Sequence, residues 1–472
     1  MISISSLFES PEPYPRLVFL RRDHRRALNQ NQQDALGWYS RSVSAVRQGI
    51  ERGGVDAFVG LITCLLFICM EALLGSSDET LRLHNQGVRL ILTLQAEDAC
   101  GALSATKSAL LKDTIVPLFV RLGTVSLNTG GLMADLLRET ECAPTQEFDS
   151  LKSAREAVIM LAAEVHLFES ACEEDLLKSH ADRISQELAD RQQTLSARLQ
   201  SWHIAFTNLM QSLCSKGALP PLQLSTGALL LTYYEMLSVM LAVCASPSRI
   251  TTDACIQNFQ NITEQSSIAL SSSTQGDGTQ PPFTFEISAG LPLWFTSVRC
   301  REPAIRRTAL ALLRRAHQVE GFYKRDDWAI FGERVMMLEE TYEMVMNAAP
   351  STTNLTPPKS TNGYIEYQPH RRGISDSSSP ISMDSKFVAN PYPSPAESET
   401  RTPAAELVPE EARIRPLGIF RPRDGYPPGA TEEDIAKWGR SRDHLFLRFS
   451  RNECDQSSNT WKTIYGYVPV DF

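Results

Sequence analysis

Few side chains in this sequence have the types and spacing that catalysis requires. The 472 residues contain no GxSxG nucleophile elbow, no GxxxxGK phosphate loop, no GxGxxG turn and no HExxH metal motif. Asp326 and Asp327 are the one candidate for an aspartate-rich metal motif, but no second aspartate follows three residues later. We expect this pair to cap or flank a helix near Trp328, and we do not expect an enzyme. An all-α metal-dependent enzyme is the least favoured alternative.

The closest set of potential metal ligands consists of His166, Cys172 and His180. On a helix, separations of six and eight residues rotate side chains by about 240° and about 80°, so these three do not share a face. A structural zinc site also needs four convergent ligands. We therefore predict no metal or cofactor site in this chain. His84, on an apolar helix face, is expected to be a hydrogen-bonded core histidine.

Arginine forms two clusters in a chain whose 46 basic and 55 acidic residues give a net charge of −9. A domain that neutralises nucleic-acid phosphates is normally basic, so this balance argues against direct nucleic-acid binding. The first cluster comprises Arg21, Arg22, Arg25 and Arg26, and the second comprises Arg299, Arg301, Arg306, Arg307, Arg314 and Arg315. We interpret the first as a solvated face, and the alternative is a nuclear-import or phosphate-contact patch. We interpret the second as one wet face of an amphipathic helix, whose arginines pair with nearby acids, and the alternative is DNA contact by that face.

The 10 cysteines are dispersed along the chain, and no CxxC pair occurs. In a long chain, this pattern is typical of reduced thiols in the cytosol or nucleus. The first 26 residues lack an apolar run long enough for a signal peptide. Two apolar stretches, Ala57 to Met70 and Gly227 to Ala245, are too short or too polar for a membrane span, so we predict buried helices.

Hydrophobic periodicity predicts a series of helices from residue 30 to residue 348, and strand signals are scarce there. We predict an all-α fold of stacked antiparallel hairpins in one large bundle. The second helix, Val55 to Leu74, is apolar all round and should lie at the centre, with Gly75 as its stop. The first helix carries an apolar stripe formed by Leu36, Tyr39, Val43, Val46 and Ile50.

The third helix should open with a capping box formed by Ser76 and Glu79. Further helical patterns cover about 105–127, 150–178, 182–215, 223–245, 248–270 and 288–348. The buried face of the third helix is predicted to hold Leu81, His84, Val88, Ile91 and Leu92.

The composition divides the chain into four parts. Residues 1–29 should form a flexible arm, and 30–348 the helical domain, with a polar loop at about 271–283. Between Pro350 and Pro409 the sequence has 10 prolines and 16 serines or threonines, so 349–412 is predicted to be a disordered linker. Residues 413–472 are rich in aromatic and β-branched residues and predict a small β-hairpin that packs on the bundle or on a short helix beginning at Thr431.

Two ordered sets of residues stand out in the helical region. The first set follows Trp294 and comprises Cys300, Arg301, Glu302, Pro303, Ile305, Arg306, Arg307, Glu320 and Gly321. The second set spans two apolar helices and comprises Phe67, Glu71, Gly75, His84, Gly87 and Arg89. Both sets resemble the regulatory region of fungal zinc binuclear cluster (six-cysteine) transcription factors. That family usually has tryptophan and aspartate where this chain has Tyr323 and Lys324.

We expect architectural roles for these residues. Pro303 suits a first helical turn, Gly87 a close helix contact and Gly321 a left-handed exit. Arg306 and Arg307 should pair with acids of a neighbouring helix.

The resemblance implies a nuclear regulator of transcription, with the cytoplasm as an alternative location. The family's DNA reader, six closely spaced cysteines that hold two zinc ions, does not occur in these residues. A truncated gene model, a natural loss and a divergent paralogue each account for that. The expected partners are transcriptional co-regulators or related family members, in a homodimer or heterodimer, without a membrane. A small-molecule effector in a bundle cavity is a further expectation, and a helical scaffold without a transcriptional role is the runner-up.

Overall fold

Helices make up most of the chain in the computed structural model. It describes residues 2–8, 29–54, 56–74, 76–125, 131–138, 147–179, 184–274, 279–281, 283–348, 408–420, 422, 425–427, 430–439, 444–455 and 460–470. The expected all-α fold with a small β-rich tail is confirmed. The predicted linker lies almost entirely outside the described residues.

The helices before the tail are joined mostly by short segments. In chain order they are α1 (Ile2–Phe8), α2 (Gln30–Glu51), α3 (Ala57–Leu74), α4 (Ser77–Ala99), α5 (Ala105–Leu110), α6 (Val116–Val125), α7 (Gly131–Arg138), α8 (Leu151–Ser179), α9 (Gln186–Ser215), α10 (Pro221–Val243), α11 (Ile256–Ser273), α12 (Gly290–Arg299), α13 (Pro303–Leu313) and α14 (Arg325–Ala348). A π-helical turn, Leu111–Ile115, links α5 to α6, and a 3₁₀ helix, Ile250–Cys255, precedes α11.

The central helix of the bundle is α10. It packs against α8, α9, α11 and α12, and it is buried on nearly every side. Two helices, α3 and α10, have the length and hydropathy of a membrane span, but 72% of the α10 window is buried inside the protein. The prediction of a buried helix is therefore correct for α10.

The prediction that the second helix lies at the centre is wrong. Only 33% of the α3 window is buried, because α3 packs mainly on α4 and turns its other side outward. Val59 is 55% exposed and Ile62 is 52% exposed. The apolar stripe on α2 is covered only in part, since Val43 is 40% exposed and Ile50 is 63% exposed. All-round hydrophobicity did not distinguish a central helix from one with an uncovered face.

Three smaller expectations also differ from the structure. Ser76 precedes α4 without a side-chain cap bond, because its ψ of 75° departs from the extended conformation that a capping serine adopts. Leu81 is 37% exposed, whereas His84, Val88 and Ile91 are buried as predicted. Residues 2–8 of the expected flexible arm form α1, which packs on α2, and residues 271–273 of the expected loop belong to α11.

Two small sheets complete the fold. Beside the bundle, β1 (Phe283–Thr284), β2 (Val319–Glu320) and β3 (Tyr323–Lys324) pair in that order. The tail forms an antiparallel sheet of β4 (Ile414–Phe420), β5 (Phe446–Asp455) and β6 (Thr460–Pro469), one strand more than the predicted hairpin. A short helix, α15 (Glu432–Trp438), starts with the predicted cap at Thr431. The sheet packs its apolar face on Val298 of α12 and Val335 of α14.

Candidate functional site

A fully buried carboxylate, Glu339 of α14, joins the bundle to the tail. Its two oxygens accept hydrogen bonds from Nη2 of Arg301 at 2.6 Å and from Nη1 of Arg306 at 2.7 Å. One of them also accepts the backbone N–H of Ile414, the first residue of β4, at 2.7 Å. Burial acts to raise the pKa of Glu339, but the two guanidinium groups and the N–H outweigh it and hold that pKa below its usual value.

The local sequence positions both arginines. Cys300 ends α12 in an extended conformation, and the Glu302 side chain caps α13 by accepting the N–H of Ile305 at 2.6 Å. Pro303 occupies the first helical turn, as predicted. With the helix start fixed in this way, Arg306 donates through Nε to the carbonyl of Ser297 at 2.7 Å and faces inward.

The predicted wet arginine face is therefore only partly correct. Arg301 and Arg306 are 4% and 3% exposed, because both are committed to Glu339. Arg307 and Arg314 are surface residues, and they pair with Glu340 and Glu333 at 2.8 Å each. The expectation that Arg306 and Arg307 pair with acids of a neighbouring helix is confirmed for both.

The segment that leads into β4 is held by a second buried arginine. Arg413 has no exposed surface and makes two hydrogen bonds with the carboxylate of Asp253, at 2.8 Å and 2.5 Å. It also donates to the carbonyls of Val408 and Arg249. The side chain thus ties the start of the tail to the 3₁₀ helix before α11.

Glu410 makes the reciprocal connection. Its carboxylate accepts the backbone N–H groups of Arg249 and Ile250 and the hydroxyl of Ser248, within 3.1 Å. Arg249 in turn donates to the carbonyls of Arg413 and Ser450. Together these hydrogen bonds form a buried polar interface between the bundle and the tail.

Two adjacent cavities lie along this interface. The first, of about 310 Å³, is walled mainly by apolar side chains of α10 and α12, including Met240, Trp294 and Phe295. The second, of about 360 Å³, is walled by polar groups of α8, the 3₁₀ segment and the tail. They share five wall residues, Glu169, Glu173, Arg299, Arg415 and Leu417.

The second cavity has a strongly positive wall. Five arginines and two glutamates line it, the arginines being Arg249, Arg299, Arg301, Arg415 and Arg448. Burial lowers the pKa of Arg249 to about 9, and the neighbouring arginine charges add to that effect while Glu410 opposes it. Burial lowers the pKa of Arg299 and of Arg301 as well, against the opposing effect of their glutamate partners.

A further buried acid, Glu320 of β2, has its carboxylate beside Gly290, the first residue of α12. Burial raises its pKa to about 7, although the hydroxyl of Ser288 and the backbone N–H groups of Ser288, Gly290 and Leu291 act in the opposite direction. Gly290 is required here, because a Cβ at this position would overlap the carboxylate of Glu320. Gly321 follows with a φ of +57°, the left-handed conformation that was predicted.

The second set of resembling residues lies apart from this interface. Glu71 accepts the hydroxyl of Tyr39 at 2.6 Å, and Phe67 meets the ring of Tyr39 edge-on at 5.3 Å. Gly87 is packed on the ring of Phe119, which a Cβ would overlap, so the predicted close contact is confirmed.

The predicted core histidine is also confirmed. His84 is fully buried and donates through Nε2 to the carbonyl of Phe119 at 2.9 Å. Arg89 lies on the exposed side of α4. Gly75 lies outside the described residues.

The candidate metal ligands do not converge. Asp326 and Asp327 fall in the first turn of α14, as predicted, and Asp326 pairs with Arg325 at 3.2 Å. His166 and Cys172 both lie on α8 and are buried, whereas His180 lies outside the described residues, as do Arg21, Arg22, Arg25 and Arg26. Within the described ranges, no group of three or more His, Cys, Asp or Glu side chains is arranged to hold a metal. The cysteines of these ranges are free thiols.

No family model, curated protein or solved structure matches this chain.

Sequence reasoning found Arg301 and Arg306 but missed their partner. Glu339 stands four residues after Val335, on the apolar face of α14. A single carboxylate on an otherwise apolar helix face is the signal that would have indicated a buried ion pair. The tail residues Arg413 and Glu410 carried no comparable signal, because their partners are more than 150 residues away in the sequence.

Proposed function

We propose that this chain is a regulatory module of transcription that acts by binding other proteins, and that it does not itself read DNA. The proposal starts from the resemblance of two ordered residue sets to fungal zinc-cluster factors. The observation that supports it most directly is the structural position of the first residue set, the one that follows Trp294. Arg301 and Arg306 are bound to Glu339, where they attach the tail to the bundle.

The buried state of these arginines supports a role without direct DNA contact. Phosphate contacts require accessible cations, and Arg301 and Arg306 are enclosed. Two of the three exposed arginines of the same cluster, Arg307 and Arg314, are already paired with Glu340 and Glu333. The net charge of −9 acts in the same direction.

Exposed apolar side chains on α2 and α3 support binding to a protein partner. Val43 and Ile50 on α2, and Val59 and Ile62 on α3, are 40% to 63% exposed. Exposed large apolar side chains grouped on neighbouring elements are typical of protein interaction surfaces. The proposed partners are a transcriptional co-regulator or a related family member.

A reporter assay tests the proposal. The full chain is fused to a heterologous DNA-binding domain, and transcription is measured from a promoter with the matching site. We expect activation or repression, and we expect Ile62→Glu to reduce it. Leu222→Glu is the matched control, because Leu222 is 73% exposed at the start of α10, away from α2 and α3.

Two results would contradict the proposal. No transcriptional effect in either direction favours the helical scaffold. Sequence-specific binding of the purified chain to DNA, with strong salt dependence, contradicts the claim that the chain lacks a reader.

A further inference from the structure

We propose that the two cavities between the bundle and the tail together bind one amphipathic organic acid. Its carboxylate lies among the arginines of the second cavity, and its alkyl or aromatic part lies against Met240, Trp294 and Phe295 in the first. This inference goes beyond the regulatory role and does not depend on it, because it concerns a binding equilibrium of the purified chain.

The charge balance of the second cavity favours an anion. Three of its five arginines have a carboxylate partner, since Arg299 pairs with Glu169 at 2.9 Å, Arg415 with Glu173 at 2.8 Å and Arg301 with Glu339 at 2.6 Å. The guanidinium of Arg249 donates instead to the carbonyls of Arg413 and Ser450 and to the hydroxyl of Ser450, and only its backbone N–H bonds to Glu410.

Arg448 also lacks a carboxylate partner among the described contacts. Its guanidinium lies over the ring of Tyr465, with 5.7 Å between its central carbon and the ring centre. A ligand carboxylate is the partner that this cation lacks.

Buried nitrogen atoms without partners cluster on the same walls. Nε of Arg301 and Nε of Arg448 are buried and have no hydrogen-bond partner in the described part of the chain, and both side chains line the second cavity. Nε2 of His166 and Nε1 of Trp294 are in the same state, and both side chains line the first. Buried polar groups are normally paired, so these four nitrogen atoms, on side chains that line the two adjoining cavities, favour a ligand that carries oxygen atoms.

The two cavities differ in polarity in a way that suits one elongated ligand. Eight of the 14 wall residues of the first cavity are apolar, whereas the side chains of serines, threonines and one asparagine accompany the arginines of the second. Each volume falls in the range of small-molecule sites, about 300–1,000 Å³. Inorganic phosphate leaves the apolar half unfilled, and a neutral alcohol leaves Arg448 without an anion.

Isothermal titration calorimetry on the full chain tests the inference with four probes. Two are carboxylates with an apolar part, decanoate and phenylbutyrate, and the others are decanol and inorganic phosphate. We expect at least one of the two carboxylates to bind, and we expect decanol and phosphate to bind at least about tenfold more weakly, because each lacks one half of the interaction.

Variants of Arg448 assign the binding to this site. Arg448→Met should weaken carboxylate binding by about 10-fold or more, and Arg448→Lys should retain most of it because the charge remains. Arg314→Met is the matched control, since Arg314 lies on the surface and pairs with Glu333. A circular dichroism melt of each variant identifies any loss of fold. The inference is overturned if neither carboxylate binds, if decanol binds as tightly, or if folded Arg448→Met binds like the unmodified chain.

Discussion

Arg413 and Asp253 meet through two parallel hydrogen bonds, at 2.8 Å and 2.5 Å, although 160 residues separate them in the sequence. The guanidinium is completely buried, whereas the carboxylate keeps 23% of its side-chain surface exposed. The pair joins the entrance of the tail to the 3₁₀ helix that precedes α11. Whether this ion pair is intact should therefore determine whether the tail stays attached to the bundle.

Breaking this pair from one side should be costly. Asp253→Asn leaves the buried Arg413 charge uncompensated, so we expect the free energy of unfolding to fall by about 3–5 kcal/mol. Urea denaturation measures the loss, and limited proteolysis reports release of the tail. The double variant Asp253→Leu with Arg413→Met should recover most of the stability, because replacing both partners removes the desolvated charge. A double variant as unstable as the single one would count against this account.

Glu339 should be equally sensitive, because it is the shared partner of two buried arginines. Glu339→Gln removes the negative charge between Arg301 and Arg306 and should also cost about 3–5 kcal/mol of unfolding free energy. The adjacent residue provides the control. Glu340 forms an exposed pair with Arg307, so Glu340→Gln should change the free energy of unfolding by less than about 1 kcal/mol. Similar losses in the two variants would show that Glu339 does not hold the interface.

The raised pKa of Glu320 should make stability depend on pH. The unfolded chain releases this proton near pH 4.5, whereas the folded chain keeps it until about pH 7. The unfolded state therefore binds fewer protons between these values, and the contribution of Glu320 to the free energy of unfolding falls as the pH rises through this window.

Glu320→Gln removes that titration. Relative to the unmodified chain, the variant should gain about 3 kcal/mol of unfolding free energy between pH 4 and pH 8. Thermal or urea unfolding at several pH values measures the difference. A difference that stays constant over this range would mean that Glu320 titrates normally.

The contact of Gly87 with Phe119 should tolerate no added methyl group. Gly87→Ala places a Cβ inside the ring of Phe119, which is 1% exposed, and should destabilise the fold by about 1–3 kcal/mol. Gly60→Ala is the matched control on α3, where a Cβ meets only Leu90 at 3.7 Å. That variant should gain up to about 1 kcal/mol from helix propensity. Urea titrations measure the free energy of unfolding of both variants. A change in the same direction in both would argue against tight packing at Gly87.

Most of the helices, the tail strands and several of the local caps followed from sequence patterns, because each depends on residues a few positions apart. The starts of α13 and α15, at Pro303 and Thr431, are examples. Which helix lies at the centre did not follow. The apolar composition of α3 predicted the centre, but α10 took that place because four helices pack around it. Whether a helix lies at the centre depends on how many neighbouring helices cover it, and the sequence of one segment does not contain that information.

The interface was the least predictable part, for a related reason. Glu410 contacts residues about 160 positions away, and the two cavities exist only where α8, α10, α12 and the tail meet. A pattern within one segment identified Arg301 as notable but assigned it to the surface. Only the tertiary structure brings Glu339 into its reach.

The hydrogen bond from the backbone N–H of Ile414 to Glu339 joins residues that are 75 positions apart, so it closes a long chain loop. The length of this loop has little influence on the stability of the contact. The entropic cost of closing such a loop grows only with the logarithm of its length, about 0.6 kcal/mol for each doubling. The tail of a second copy carries the same groups, so it can make the same contacts with the bundle. At high protein concentration, two copies should therefore exchange tails through identical contacts, which gives this chain a route to a domain-swapped dimer without any new interface.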